Sequence, residues 1–272
     1  MSDFTAWTEA DAAAHIAIPG EHDDKYTRGV LGVITGSEQY PGAAVLGVEA
    51  ALRTGVGMVR YLGPARPTTL VLQRRPEAVT SNGRVQAWLA GSGMDHADRD
   101  GEVLAFLAVA LDQPVPVVLD GGTLDFFDRA AGPVVITPHY RELARLLAVA
   151  PEEIAQDPAG WSRRAAGELH VTILLKGHTT YVAGPEVSLS VHSAPSWLAT
   201  AGAGDALAGI LGALVATHST RIADDPALLA RLAATAALVH GLAASRASGG
   251  GPLTVLDLCA AIPATVAQLL SP

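Results

Sequence analysis

The sequence predicts an α/β fold in which a mostly parallel sheet is covered by helices on both faces. Short, nearly continuous apolar runs alternate along the chain with longer Ala- and Leu-rich stretches of helical spacing, the pattern of parallel strands joined by helical crossovers. Hydrophobic residues make up 49% of the 272 residues and charged residues 17%, so the chain can bury a large core. No linker, repeat or low-complexity segment divides it, and we predict a single domain over residues 1–272.

The elements follow in chain order from the length and spacing of these runs. Short apolar runs that end at glycine, aspartate or proline predict buried strands, and longer runs with apolar residues three or four apart predict helices. The first half is predicted to hold a helical arm over about residues 1–25, strands at 30–35 and 58–62, and a helix at about 42–53. The second half is predicted to hold strands at 115–119, 134–136 and 171–175, a hairpin of 181–183 with 187–191, and helices at 139–148, 203–217, 225–246 and 254–270.

Charge and cysteine content exclude several classes of protein. The formal net charge is −9, and no run of Lys or Arg offers a surface for nucleic acid or for anionic lipid. The single cysteine, Cys259, rules out an internal disulfide framework. The N-terminus lacks a basic stretch followed by an apolar run, and the apolar run at 198–217 contains Asp205, which fits a buried helix better than a membrane span. We therefore expect a cytoplasmic protein.

Ligands of such folds bind outside the carboxyl ends of the strands, so the residues after each strand are the candidate site residues. Two of these ends are turns of small residues, at 36–44 and at 91–93, which can admit a ligand to the backbone or simply form tight turns. Asp120, followed by Gly121-Gly122, can contact a ligand or cap the next helix.

The segment from Thr137 to Glu142 has two interpretations. Pro138 favours a helix start, with Thr137 as its cap and Glu142 in its first turn. His139 and Glu142 also share one face of that helix, where they could address a substrate or a Mg²⁺-bound water, although two residues are too few for a metal cage. The remaining lone histidines are expected at the surface without a function: His96, His170, His218 and His240.

The most specific candidate is the glycine-rich entrance, from Thr200 to Gly209, of a long apolar helix. Its free N–H groups can receive a phosphoryl group, and Asp205 in its first turn can accept the proton of a substrate hydroxyl as that oxygen attacks phosphorus. Asp205 could instead only complement the helix dipole, but two adjacent glycines weaken a helix start and favour the functional interpretation. Lys176, at the end of a strand, can reach a nucleotide phosphate. The chain contains neither the P-loop nor the Rossmann glycine motif.

Taken together in chain order, the strand-end segments described above resemble the ADP/ATP-dependent NAD(P)H-hydrate dehydratase family of the ribokinase-like superfamily. The resemblance extends from about Lys25 to Leu269. The Thr-Pro-His-x-x-Glu element distinguishes this family from its relatives better than the Gly-x-Gly-Asp element does. The resemblance implies a ribokinase-like three-layer αβα sandwich. The matching pieces are Gly36-Ser37 with Gly42-Ala43-Ala44, residues 52–57, Gly91-Ser92-Gly93, Leu119-Asp120, Thr137-Pro138-His139 with Glu142, Leu175-Lys176-Gly177, and residues 199–209.

The resemblance also implies a reaction. Members phosphorylate the ring hydroxyl of hydrated NADH or NADPH with ADP or ATP and Mg²⁺, and then eliminate phosphate to restore the dihydropyridine. Asp205 is the implied catalytic base, Mg²⁺ could lie near Glu142, and a homo-oligomer, a tetramer, is implied as the assembly. The implied hydrate contacts are Ala43, Gly93, His139 and Asp205, and the implied nucleotide contacts are Lys176, Gly177, His178, Thr179, Thr180, Ala203 and Gly204.

The chain departs from the family pattern around the expected substrate pocket. These changes leave the phosphoryl-transfer residues intact and bear on the substrate. The alternative function is a hydroxyl kinase of the same superfamily, of the vitamin-precursor type, which would release a stable phosphorylated product. The departures also suggest a degenerate nucleotide-binding protein without activity, although the retained Asp205 argues against it. The departures are Ala203 for Thr, Ser92 for Pro, Gly121-Gly122 for Ala-Asp, Tyr140-Arg141 for Pro-Gly, and residues 192–198, which lack the usual Thr-Gly-Asn-Pro-Gly.

Overall fold

The computed structural model describes residues 4–97 and 99–271, and the strands of this part of the chain form one nine-stranded sheet. The strands are β1 (Thr5–Ala6), β2 (Val30–Ile34), β3 (Met58–Tyr61), β4 (Ala87–Ala90), β5 (Val117–Leu119), β6 (Val134–Ile136), β7 (Thr172–Leu175), β8 (Thr180–Gly184) and β9 (Val187–Val191). Their order across the sheet is β1-β9-β8-β7-β6-β5-β4-β2-β3. Strands β2 to β7 pair in parallel, the β8–β9 hairpin is antiparallel, and β1 is parallel to β9, which confirms the mostly parallel sheet.

Helices cover both faces of this sheet and confirm the three-layer αβα arrangement. Helices α2, α8, α10 and α11 contribute to the core on one face, and α4 to α7 to the core on the other. The helices are α1 (Glu9–Ala13), α2 (Gly42–Thr54), α3 (Ala65–Arg74), α4 (Gly101–Leu111), α5 (Tyr140–Leu147), α6 (Pro151–Gln156), α7 (Pro158–Leu169), α8 (Ala203–Thr217), α9 (Ser219–Ile222), α10 (Leu228–Ser248) and α11 (Val255–Leu269), with 3₁₀ turns at Gly121–Phe126 and Ser196–Leu198.

Strand β2 shows why the central strands are apolar throughout. Successive side chains of a strand point to opposite faces, so Leu31 and Val33 enter one core while Val30 and Ile34 enter the other. All five residues of the strand are buried, and each large apolar side chain contributes about 1.5–3 kcal/mol. Gly32 lies against Trp88, since a Cβ at Gly32 would lie 2.2 Å from the indole ring.

Helix α10 is long and apolar enough to cross a membrane by length and composition alone. However, 83% of its most apolar window is buried inside the protein. It packs on α8, α11 and strands β7 to β9, so its apolar surface is explained by the core.

The N-terminal segment differs from the predicted helical arm over residues 1–25. Residues 1–3 lie outside the described residues, Thr5–Ala6 form β1 on the edge of the sheet, and the only helix before β2 in the described part is Glu9–Ala13. The Trp7 Nε1–H donates to Thr235 Oγ1 at 3.2 Å, which anchors this segment to α10. Pairing with β9 and this tertiary contact outweigh the helix propensity of the Ala-rich sequence.

Candidate active site

The carboxyl ends of the central parallel strands meet at one edge of the sheet. The strand that ends at Leu175 is joined there to the preceding strand end, because the Lys176 N–H donates to the Pro138 carbonyl at 2.8 Å. The strand ends predicted as candidate site residues therefore converge, as the parallel topology requires. These are Gly36 after β2, Gly91-Ser92-Gly93 after β4, Asp120 after β5, Thr137 after β6 and Lys176 after β7.

Asp120 lies at the centre of this edge and is buried. Its carboxylate accepts hydrogen bonds from Ser92 Oγ at 2.8 Å, Thr137 Oγ1 at 2.7 Å and Lys176 Nζ at 2.8 Å. Burial acts to raise the pKa of Asp120, but the Lys176 charge and the three hydrogen bonds outweigh it and hold that pKa below its ordinary value. Asp120 is therefore an ionised internal anchor, and its side chain does not cap the 3₁₀ turn that follows.

Lys176 lies between two carboxylates beside the first turn of α8. Its Nζ is 2.8 Å from Asp120 Oδ1 and 3.7 Å from Glu142 Oε2. Burial acts to lower the pKa of Lys176, but the charges of Asp120 and Glu142 outweigh it and raise that pKa. A Cβ at Gly204 would lie 3.5 Å from Nζ, so the Lys176 ammonium stands at the entrance of α8.

The entrance of α8 has the features expected of an anion site. Gly202 caps the helix in a left-handed conformation at φ 91°, and no side chain in the described residues caps this turn. The Ala203 N–H donates to the Thr200 carbonyl at 3.4 Å. The Ala203 amide, predicted to hold a phosphoryl group, is thus partly engaged, and the Gly204 amide is the better placed of the two.

Asp205 is the third residue of α8 and is only partly exposed. Burial and, to a smaller extent, the charge of Asp120 raise the pKa of its carboxyl to about 7, against the opposing charge of Lys176. A carboxylate with a pKa near neutrality can accept a proton from a hydroxyl and release it afterwards. This property agrees with the role of general base predicted for Asp205.

A cavity of about 630 Å³ opens in front of this helix entrance. Six of the seven residues predicted to contact the nucleotide line it: Lys176, Gly177, His178, Thr180, Ala203 and Gly204. Thr179 does not line it, and its Oγ1 instead lies 3.2 Å from Nδ1 of His192. Part of the remaining wall, residues 193–196 and 198, belongs to the stretch where the chain departs from the family pattern. The rest comes from His139, Val191, Ala199, Thr200, Leu207, Ala237 and His240.

Ala43 and Gly93, predicted to contact the hydrate, lie next to each other, and Gly93 directly follows Ser92 in the chain. Gly93 has φ 68°, and a Cβ there would lie 2.4 Å from the Cβ of Ala43. A smaller cavity of about 220 Å³, lined by Gly36, Tyr40 and Met94 among others, adjoins this pair. Helix α2 also packs on α8. Gly47, one helical turn after Ala43 in α2, approaches Asp205, since a Cβ at Gly47 would lie 3.6 Å from the Asp205 carbonyl oxygen.

Thr137 is not the cap of α5. The N-cap is His139, whose Nδ1 accepts from the Glu142 N–H at 3.1 Å while a Glu142 carboxylate oxygen accepts from the His139 N–H at 2.7 Å. Thr137 is buried and donates to Asp120, because its position directly after β6 points it into the sheet edge. His139, predicted to contact the hydrate, is half-exposed and lines the large cavity together with the predicted nucleotide contacts.

Two residues of the large cavity, His240 and Ser193, were not predicted from the sequence as site residues. His240 on α10 is buried, and its Nε2 and the Ser193 Oγ are buried with no hydrogen-bond partner in the described part of the chain. Burial lowers the pKa of His240 to about 4, so the ring is neutral. His240 and His218 are both buried, which corrects the surface position predicted for them. Their positions next to or within long apolar helical runs could have indicated burial from the sequence alone.

The site contains few candidates for metal ligands. The described residues hold no group of three His, Cys, Asp or Glu side chains that could bind a metal ion. Glu142, near which Mg²⁺ was expected, is already used by the capping box and by Lys176. A protein cage for Mg²⁺ therefore does not fit these residues.

Comparison with known proteins gives consistent matches. A family model described as NAD(P)H-hydrate dehydratase matches residues 31–261. The chain is 42% identical over 226 residues to the bifunctional NAD(P)H-hydrate repair enzyme of Mycobacterium leprae, covering 79% of this chain and 46% of that protein. It is 32% identical over 216 residues to the ADP-dependent (S)-NAD(P)H-hydrate dehydratase of Neisseria meningitidis serogroup B, covering 72% of each. The chain thus spans about half the length of the first curated relatives it matches.

Solved structures match over nearly the whole chain. The ADP/ATP-dependent NAD(P)H-hydrate dehydratase of Bacillus subtilis, co-crystallised with ATP and Mg²⁺, superimposes with a TM-score of 0.87 at 24% identity, covering 99% of this chain and 100% of that one. A ribokinase-like superfamily protein of Enterococcus faecalis superimposes with a TM-score of 0.86 at 22% identity, covering 100% and 98%. These similarities confirm the ribokinase-like fold.

Proposed function

The chain belongs to the NAD(P)H-hydrate dehydratase family, and on that premise we propose that it dehydrates hydrated NADH or NADPH with an adenine nucleotide as phosphoryl donor. The observation that carries this proposal is the uncapped entrance of α8. There Gly204 and Lys176 line a cavity of about 630 Å³. Asp205, the next residue of the helix, does not line that cavity, but its charge acts on Lys176.

The first step transfers a phosphoryl group to the ring hydroxyl. Asp205 accepts the hydroxyl proton as the oxygen attacks phosphorus. The Gly204 amide and Lys176 balance the charge on the transferring group. With a pKa of about 7, about half of the Asp205 carboxyl groups are ionised at pH 7 and able to accept the proton. The six cavity residues named above are the proposed nucleotide contacts, and Ala43, Gly93 and His139 the proposed hydrate contacts.

The second step breaks the bond between the ring carbon and the phosphorylated oxygen. Hydroxide is a poor leaving group and phosphate a good one, so the ring can expel phosphate and lose a proton from the adjacent carbon to regain its double bond. With ADP the products are NAD(P)H, AMP and inorganic phosphate, and with ATP they are NAD(P)H, ADP and phosphate. The ring oxygen leaves within the phosphate.

We assign Mg²⁺ to the nucleotide phosphates and water, since the described residues offer no cage for it. The ion would add positive charge at the transferring phosphoryl group. No step of the mechanism depends on a protein ligand to the metal.

The decisive experiment follows the ring oxygen. Hydrated NADH carrying ¹⁸O in its hydroxyl is incubated with the protein and either ADP or ATP, and the same is done with hydrated NADPH. We expect the absorbance of reduced nicotinamide to return and ¹⁸O to appear in inorganic phosphate. A stable phosphorylated hydrate would instead support the hydroxyl kinase alternative, and no consumption of nucleotide would exclude both.

We also propose self-association through α4. Its outward face is apolar, with Leu104 41% and Val109 49% exposed beside the exposed Ala105 and Ala108. Sedimentation of the wild type and of Leu104→Glu tests this, and a wild-type monomer would refute it. The cytoplasmic location stays a prediction from the sequence.

A further inference from the structure

Ser92, Asp120 and Lys176 form a continuous chain of polar contacts across the sheet edge. The Ser92 hydroxyl donates to one oxygen of the Asp120 carboxylate at 2.8 Å, and Lys176 Nζ donates to the other oxygen at 2.8 Å. Ser92 belongs to the turn that presents Gly93, and Lys176 stands at the entrance of α8. One buried carboxylate therefore touches both the proposed hydrate side and the proposed nucleotide side.

From this geometry, and resting on the function proposed above, we propose that Ser92 and Asp120 are positioning residues that couple the two subsites. Each ligand then binds more tightly when the other is present. Asp120 is 4% exposed, so it acts on the ligands through its neighbours.

Lys176 depends on Asp120 for its position. An ammonium on a flexible four-carbon stem has no preferred place of its own, and the other carboxylate that it meets in the described part of the chain, Glu142 Oε2, is 3.7 Å away. When nucleotide phosphates bind to Lys176, they therefore restrict the motion of its ammonium and of the Asp120 carboxylate that holds it.

Ser92 connects the Asp120 carboxylate to the turn on the hydrate side, so restricting the carboxylate also restricts that turn. Ser92 lies between Gly91 at φ 104° and Gly93 at φ 68°, and its hydroxyl ties that turn to the Asp120 carboxylate. Backbone hydrogen bonds from the Gly36 N–H to the Ser92 carbonyl at 2.7 Å and from the Gly122 N–H to the Gly91 carbonyl at 3.1 Å also hold the turn, so the hydroxyl is its side-chain link to Lys176. The serine is also one of the departures from the family pattern, and the proline that is usual there has no hydroxyl to donate. The coupling is thus a property of this chain's own sequence. Binding that orders one part of a shared network lowers the cost of ordering the rest.

Calorimetry of the whole protein tests the coupling. The probes are α,β-methylene-ADP, which cannot transfer its terminal phosphoryl group, and hydrated NADH. For the wild type we expect the dissociation constant of the ADP analogue to fall about fivefold or more when hydrated NADH is saturating, and the reciprocal effect to be equal.

Ser92→Ala should retain the affinity for the ADP analogue alone and reduce the coupling to less than about twofold. Ser92→Pro, which restores the family residue, should do the same. Asp120→Asn should also weaken binding of the ADP analogue in the absence of hydrate, because Lys176 loses its carboxylate partner.

Thr137→Val is the matched control. It removes a hydrogen bond of similar length to the same carboxylate from a strand end outside both proposed contact sets, and it should keep the coupling. Full coupling in Ser92→Ala, or equal loss in Thr137→Val, would overturn the proposal even if Asp120→Asn fails to fold. A wild type that binds both probes without coupling would also overturn it, whereas a wild type that binds neither would refute the proposed function itself.

Discussion

Replacing Asp205 by asparagine is expected to abolish turnover and to stabilise the fold at pH 8. Burial raises the pKa of this carboxyl to about 7 from its ordinary 3.8, so between these values the folded protein holds a proton that the unfolded chain has lost. The contribution of Asp205 to stability is therefore complete below about pH 4 and is lost as the pH rises through 7. Asparagine is neutral at every pH and removes this loss.

The size of the effect follows from the two pKa values. A difference of about 3 between 7 and 3.8, at roughly 1.4 kcal/mol for each pKa unit, gives a ceiling of about 4 kcal/mol at pH 8. Because Asp205 is partly exposed, solvent screening reduces this to about 1–2 kcal/mol. At pH 5 less than about half of the difference should remain.

Urea unfolding of the wild type and of Asp205→Asn at pH 5 and pH 8 measures the difference. Asp257→Asn is the matched control, because Asp257 is also the third residue of a helix but has its pKa lowered by hydrogen bonds from Thr254. It should lose stability at pH 8, the opposite sign. If Asp205→Asn were less stable than the wild type at pH 8, Asp205 would be an ordinary ionised first-turn acid and the near-neutral base would be ruled out.

Three further substitutions probe other parts of the molecule. His240→Leu should weaken ADP binding measured by calorimetry, because the ring lines the large cavity, and should leave the free energy of unfolding within about 1 kcal/mol of the wild type, because it removes both a buried nitrogen without a partner and the ring's hydrogen bond with the Ala203 backbone; an unchanged ADP affinity would contradict this. Glu49→Gln should cost about 3 kcal/mol in urea unfolding, because the fully buried Glu49, whose pKa the surrounding arginines lower to about 2, pairs with three of them; a loss below about 1 kcal/mol would contradict it. Gly93→Ala should raise the KM for the hydrate and leave nucleotide binding unchanged, since the added Cβ would lie 2.4 Å from that of Ala43 at φ 68°; an unchanged KM for the hydrate would remove Gly93 from the proposed site.

The sequence predicted the fold best where burial on both faces makes the pattern unambiguous. Strand β6 and helix α8 have the predicted bounds, 134–136 and 203–217. The strand Ala87–Ala90 was not among the strands predicted by position, and only the turn after it, at 91–93, was predicted as a strand end. Helices α3, α4, α6, α7 and α9 were not assigned, and the N-terminal arm was wrong because tertiary contacts overrode local propensity.

The site was predicted only as far as local motifs extend. The glycines and acid of the α8 entrance and the lysine after β7 are recognisable because neighbouring residues define them. The role of Asp120 is not local, since its partners Ser92 and Lys176 are 28 and 56 positions away. The orphaned atoms of Ser193 and His240 likewise become visible only when a loop and a helix are brought together.

The position of β1 has a consequence for synthesis of the protein on the ribosome. Thr5 pairs with Leu189, which emerges 184 positions later. At roughly 5–20 residues per second, the first strand must wait about 10–40 seconds for its partner. The parallel strands from Val30 onward can begin to associate during that interval. The N-terminal segment is therefore expected to dock last, and its two-residue pairing is expected to open early when the protein unfolds.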